Sequence, residues 1–225
     1  MRHRLQQIAG IVINTALFAF FLLVPAQTLH WRRVWILLGI NAVCAAIVVI
    51  RMPQDLLKER MKGPVQQGQP VVDKIILISF MASFAAVVAF IPIDRFHLHL
   101  LPVPPLAISI VGLLIYMSGL AITGSAALAN AFAAPVVRLQ KDRSHHVVDT
   151  GPYRFVRHPM YAGLAPIIVG MALWLGSWAA AIAAIVPIAL IAIRAVFEEK
   201  FLVRELSGYD DFTRRTRFRL IPYVW

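Results

Sequence analysis

Carboxylates are scarce in this chain: eleven Asp and Glu stand against 22 Lys and Arg, a formal charge of +11. Cysteine is scarcer, with Cys44 alone, which excludes an intramolecular disulfide and a thiolate metal centre. Set mid-helix, Cys44 reads as a small buried hydrophobe. No G-x-G-x-x-G follows a strand-like run, so no Rossmann dinucleotide site can be argued. There is no Walker loop and no Ser/His/Asp arrangement, and no repeat or heptad runs through the chain. His145-His146 is a poor metal motif. Adjacent histidines converge on one ion only from an extended backbone, and no carboxylate or cysteine stands at ligand spacing.

Apolar residues, by contrast, make up 60% of the chain, with a mean hydropathy of +0.74. They fall in blocks at about 8–26, 33–50, 75–93, 106–123, 161–177 and 179–197. A hydrocarbon core roughly 30 Å thick is crossed by about 20 apolar residues in a helix, and only a helix satisfies every backbone group within one such segment. The expectation is an all-α, polytopic, multi-pass membrane bundle of about six transmembrane helices. Block one follows Arg2 and Arg4 but is too long for a signal core and lacks a small-x-small cleavage site, so it reads as a retained helix. Only Gly176-Ser177-Trp178 separates the last two blocks, which predicts a tight helical hairpin. Gly112 and Gly119, like Gly163 and Gly170, lie seven apart on one helix face, where small residues let helices approach closely.

The basic charge is unevenly distributed. With six spans and an inside N-terminus, the inside segments hold two, five, five and seven Lys/Arg, 19 in all, against Arg32, Arg33 and Arg95 outside. This matches the positive-inside rule and places both termini in the cytoplasm, at the plasma or inner membrane if the source is prokaryotic. The charge is accounted for by topology and anionic lipid head groups rather than by a nucleic-acid partner.

Spans one to three carry almost no ionisable groups, and residues 51–74 read as a short surface helix followed by a Gly/Pro/Gln linker. Residues 130–160 and 194–225 differ: both are polar, aromatic and rich in His, Arg and Glu. "GPYRFVRHPMYAG", residues 151–163, gathers two arginines, one histidine, two tyrosines and two prolines into thirteen positions. Pro159 suits a first helical turn, which puts His158 at the helix start and Tyr161 one turn in. Free N–H groups and the dipole make that end a site for a carboxylate or phosphate; on spacing alone, an interfacial anchor is the simpler account of the same residues. In "RAVFEEKF", Arg194 and Glu198 share a helix face. Arg194 lies near the end of an apolar block, where an ionisable group is costly and by default functional. Glu198 there can bind ribose hydroxyls or a cofactor's positive charge, or simply pair with Arg194. The tail "GYDDFTRRTRFRLIPYVW" reads as an amphipathic segment on the membrane surface.

Taken together, "RLQKDRSHHVVDTGPYRFVRHPMYAG", the hairpin with "GSW", and "EEKFLVRELSGYDDFTRRTRFRLIPYVW" closely resemble the isoprenylcysteine carboxyl methyltransferase family. Its prokaryotic relatives, which share features with phospholipid methyltransferases, show the same order of motifs. The resemblance spans roughly residues 125–225 and implies a division into 1–124, four N-terminal spans, and 125–225, a cofactor-binding region with the last hairpin and amphipathic tail. It implies an S-adenosylmethionine-dependent methyltransferase with a cytoplasmic cofactor pocket in its C-terminal half. By motif, the cofactor contacts are Gln140, His145, His146, Val147, Val148, Tyr153, His158, Pro159, Met160, Tyr161 and Glu198. Arg194 faces the substrate, so Arg194, His158 and Tyr161 act on the acceptor.

The acceptor is a lipophilic small molecule entering from the bilayer: an isoprenylcysteine-like carboxylate, or a lipid head group. A carboxylate needs no base, whereas an amine must lose a proton, to His158 or Tyr161. No metal is required. Membrane sterol reductases, which use NADPH, share an Arg-His-x-x-Tyr-x-Gly pattern, but Pro159 and Leu164 stand where their Asn-Tyr-x-Gly-Asp run is expected. A non-catalytic membrane sensor or accessory protein is the other alternative, and it predicts no cofactor binding.

Overall fold

The computed structural model describes residues 2–60, 63, 65, 66, 68–132, 136 and 145–225, leaving aside the side chains of residues 2–7, 55 and 59. These residues form helices and no strand. In chain order they are α1 (Arg2–Ala26), α2 (Arg32–Arg51), α3 (Gln54–Arg60), α4 (Val71–Ile93), α5 (Leu106–Ala129), α6 (Pro159–Leu175), α7 (Trp178–Ala183), α8 (Ile185–Glu205) and α9 (Tyr209–Arg215). A π-helical turn, Asp94–Leu98, extends α4, and a 3-10 turn, Gly151–Arg154, precedes α6.

All six apolar blocks become helical. Five helical stretches are long and apolar enough to cross a bilayer: Ile8–Ala26, Arg32–Arg51, Val71–Leu98, Leu106–Ala129 and Trp178–Glu205. The block at 161–177 forms α6, which has 17 residues, about 25 Å at 1.5 Å per residue. That is the short end of what spans a bilayer. The last block is longer than its apolar run, because the α7–α8 stretch continues past Arg194 to Glu205. It breaks at Ala184, three residues before Pro187, whose ring cannot donate to the Ala183 carbonyl and crowds it. Large hydrophobics such as Ile50, Ile75 and Ile185 face outward, as they must where lipid is the solvent. Cys44 is half-buried, less enclosed than the sequence suggested.

Two helices pack backbone to backbone. A Cβ on Gly119 would lie 2.7 Å from the Gly163 carbonyl oxygen, and one on Gly112 would lie 2.6 Å from Leu173 Cβ. Gly112, Gly119, Gly163 and Gly170 are therefore the contact face of α5 and α6, which van der Waals packing holds together where no hydrophobic effect operates. Position 124 falls within α5, which runs on to Ala129. The hairpin turns at Gly176, whose φ of 95° only glycine adopts easily, and the Ser177 side chain accepts a hydrogen bond from Ala180 N to start α7.

The two ends of the bundle differ. At one lie the α1–α2, α4–α5 and α6–α7 connections. There the Asp94 carboxylate accepts from Ser177 Oγ at 2.5 Å and Leu100 N at 3.0 Å, and Arg33 donates to Ser109 Oγ at 3.0 Å and the Trp174 carbonyl at 3.1 Å. At the other end lie α3, residues 145–158, the end of α8, α9 and the tail. Arg60 of α3 donates to the Ala127 carbonyl at 2.7 Å and the Asn130 carbonyl at 3.3 Å, supplying both charge and donors to the C-terminus of α5.

Candidate cofactor pocket

A cavity of about 110 Å³ opens at this second end. It forms where the start of α6, the last two turns of α8 and α9 meet. Pro159 at the first position of α6 and His158 at its N-cap turn the chain inward, so His158, Met160 and Tyr161 line one wall. Glu198, Leu202 and Leu206, spaced four apart on one face of α8, line the second. Tyr209 and Phe212 close the third, and His145, His146, Val147, Val148 and Tyr153 the fourth. Asn130, Phe132, Val136 and Arg157 complete it.

Most residues singled out in the sequence are therefore brought together. Pro159 is buried at the helix start and shapes the wall without lining it. Gln140 lies outside the described residues. Arg194 stands one layer behind: it is 4% exposed, and its guanidinium lies 5.6 Å from the centre of the Tyr161 ring. Its Nε donates to Asp73 Oδ1 at 2.8 Å. Asp73, from the α4 region that showed no sign of chemistry, is also 4% exposed and takes a further bond from Gln69 Nε2 at 2.6 Å.

Glu198 and Glu199 are sorted by the 100° step between successive helical residues. Glu198 faces the cavity and accepts from the Tyr161 hydroxyl at 2.5 Å. Glu199 faces away, into a buried ion-pair network. Arg157 reaches it through Nε and Nη2, both at 3.1 Å, and Arg219 through Nε at 3.0 Å and Nη2 at 3.3 Å. Arg157 Nη1 also donates to the Thr216 and Arg217 carbonyls at 2.7 and 2.8 Å. The backbone N–H groups of Arg157 and His158 donate to the carbonyls of Phe218 and Arg219, both at 2.9 Å. The tail is thus bound to the start of α6, and α9 forms a cavity wall as well as any surface contact it makes.

The rings are ordered too. His158 lies parallel to Tyr161, centroids 5.6 Å apart at 3°, and Phe132 packs on His145 at 4.6 Å and His146 at 4.7 Å. His158 Nε2 is buried without a hydrogen-bond partner among the described residues. Its nearest carboxylate oxygen, on Glu199, is 3.6 Å away, too far for a hydrogen bond. Burial pushes the Tyr153 hydroxyl up to about 12, with Glu198 adding to the shift and Asn130 opposing it. Burial, then Glu198 and Glu199, pushes Tyr209 up as well. Both stay protonated near neutral pH and can donate but cannot act as bases.

Sequence reasoning missed Arg157, Asp73, Tyr209 and Phe212. Leu202 and Leu206 were within reach, since they continue the Glu198 face at four-residue steps.

Residues 107–207 match the phospholipid methyltransferase family model. No curated protein matches the chain. Among solved structures, the chain is similar to a eukaryotic intramembrane Ras methyltransferase, isoprenylcysteine carboxyl methyltransferase, with a TM-score of 0.56 and 18% identity over 97% of this chain and 75% of that one. The matched segment runs from α5 to the end of α8 and supplies three of the four cavity walls or parts of them, with only α9 beyond it. The match over residues 107–207 and the shared fold together support a multi-pass membrane methyltransferase.

Proposed function

We propose that the cavity binds S-adenosylmethionine and that the protein transfers its methyl group to a lipophilic acceptor arriving from the bilayer. One observation carries this reading: Glu198, Tyr161 and the unpartnered His158 Nε2 converge on a cavity whose walls are largely aromatic. The donor set fits the cofactor. A carboxylate suits ribose hydroxyls or a sulfonium charge, the faces of Tyr153, Tyr161, Tyr209 and Phe212 suit a cation, and a buried ring nitrogen without a partner calls for a polar ligand atom.

When bound, the cofactor supplies a methyl group already activated on cationic sulfur. The chain's own task is then positioning and exclusion of water, which are worth several kcal/mol of barrier. Tyr161 holds Glu198 in place through its hydroxyl. Parallel stacking fixes the His158 ring, and the tail locks the helix start through the backbone bonds of Arg157 and His158. Arg194, against the back of Tyr161 and held by Asp73, is our candidate for recognising an acidic head group. A carboxylate acceptor needs no deprotonation. An amine acceptor would lose its proton to His158 Nε2, which is buried without a hydrogen-bond partner among the described residues. The lipophilic tail enters sideways between helices.

The cavity end carries the basic segments and faces the cytoplasm, as do both termini. Reporter fusions at 94–104 and at the C-terminus should report opposite sides. The decisive test is thermal stability of detergent-purified protein with S-adenosylhomocysteine or NADPH. A ligand of the folded state raises apparent stability by about 2.7 kcal/mol at a hundred times its Kd. Stabilisation by S-adenosylhomocysteine alone is expected, and stabilisation by NADPH alone, or by neither, overturns the reading.

A further inference from the structure

A second depression lies on the outer face of α8, behind the wall that holds Glu198. It is an open groove lined by Val196, Phe197, Lys200, Val203, Arg204 and Arg219, with Glu199 at its base. Three cations meet one carboxylate here, and Arg157 helps neutralise that carboxylate from the other side. Lys200 and Arg204 form no ion pair among the described residues. They stand four apart on one helix face, an arrangement of like charges that destabilises a helix unless an anion lies between them. Arg219 gives Nε and one Nη2 hydrogen to Glu199, so its Nη1 remains for another acceptor.

The position of the groove identifies the anion. Lys200 and Arg204 fall in the last turns of the stretch Trp178–Glu205, which is long and apolar enough to span, so they sit at head-group depth. Below them the same face of α8 continues as exposed apolar side chains, Phe197, Ile193 and Val186, a track for an acyl chain. Beside them the tail exposes Ile221, Tyr223 and Val224, and Trp225 lies under the Arg219 guanidinium, 5.6 Å from ring centre to charge. Aromatic side chains of this kind settle at the membrane interface, and basic pockets beside transmembrane helices hold anionic head groups.

We propose that this groove is a binding site for one anionic phospholipid of the surrounding bilayer. Its phosphate is held by Lys200, Arg204 and the free edge of Arg219, and an acyl chain lies along Phe197 and Ile193. The site is separate from the cofactor cavity, and the inference does not depend on methyl transfer.

The test uses the full chain, solubilised in an uncharged detergent and titrated with phosphatidylglycerol, phosphatidylcholine or inorganic phosphate. Melting midpoint and lipid retained in native mass spectra are the readouts. Phosphatidylglycerol should raise the midpoint and be retained, whereas phosphatidylcholine and inorganic phosphate should do neither. The double variant Lys200→Gln/Arg204→Gln, at exposed positions without ion pairs, should keep its lipid-free midpoint and weaken phosphatidylglycerol binding at least about ten-fold. A charge-matched control, Arg214→Gln/Arg215→Gln, should stay within about two-fold of the parent. Equal losses in the two double variants would reduce the effect to net charge and overturn the site. So would equal responses to the two lipids, or a shift reproduced by inorganic phosphate alone.

Discussion

Both ends of the bundle bury charged side chains, yet they hold them differently. At the hairpin end, Asp94 and Arg33 are satisfied by Ser177, Leu100, Ser109 and Trp174: short polar groups and backbone atoms that tie three connections together. At the cavity end, Glu199 is enclosed by two arginines, while Glu198 and His158 line the cavity, and His158 Nε2 has no hydrogen-bond partner among the described residues. The difference teaches that buried charge alone does not mark a site. What marks it is a polar group whose partner the chain does not supply, because leaving such a group unpaired costs about 1–3 kcal/mol.

The largest effect should come from breaking the closed part of the cavity end. Glu199→Gln leaves Arg157 and Arg219 facing each other without a counter-charge, and loss of one partner of a buried pair costs about 3–5 kcal/mol. A large fall in the urea or thermal midpoint is expected even without ligand. A variant as stable as the parent would mean that the tail carbonyls alone hold Arg157. Asp94→Ala, at the hairpin end, removes the acceptor for the buried Ser177 hydroxyl and for the Leu100 N–H and should cost about 2 kcal/mol of stability. Its S-adenosylhomocysteine affinity, measured by calorimetry on the folded fraction, should be unchanged, and a ten-fold loss there would erase the contrast between the two ends.

Glu198→Gln sharpens the comparison from the other side. It removes a charged acceptor that faces the cavity and leaves the Arg157–Glu199 network intact. We expect S-adenosylhomocysteine to bind about ten-fold more weakly, about 1.4 kcal/mol, with a smaller loss of ligand-free stability than Glu199→Gln shows. If the two glutamine variants behave alike, the two carboxylates do not divide their roles. Arg194→Lys tests the layer behind Tyr161. Lysine keeps the charge but cannot reproduce the guanidinium fork on Asp73, so methyl transfer to an acidic acceptor should fall about ten-fold while S-adenosylhomocysteine affinity stays within a few-fold. An affinity loss as large as that of Glu198→Gln would make Arg194 a support for the cofactor wall.

Much of this was legible along the chain. Long apolar runs dictate helices because hydrocarbon offers no hydrogen bonds to the backbone. Pro159, Gly176 and Ser177 mark a helix start, a turn and a cap by their own backbone chemistry. The seven-residue glycine spacings marked a close-approach face on each of α5 and α6, since periodicity alone decides which residues share a face; that the two faces meet each other was set by the packing. The separation of Glu198 from Glu199 follows from helix geometry in the same way.

Tertiary structure decided the partners. Arg194 and Glu198 are one turn apart and could be read as a local pair, but Arg194 also reaches 121 residues back to Asp73, because α4 packs against α8. Arg157 sat in plain view within the quoted stretch. Its bonds to Glu199, 42 positions on, and to tail carbonyls at 216 and 217 depend on how α6, α8 and the tail cross. Sequence alone determined the helices and their faces, since those obey rules of period and local backbone geometry that act within a few residues. Which buried charge meets which, and which one is left facing a cavity, was decided by the relative placement of helices distant in sequence, where Coulomb and hydrogen-bond energies change within an ångström or two.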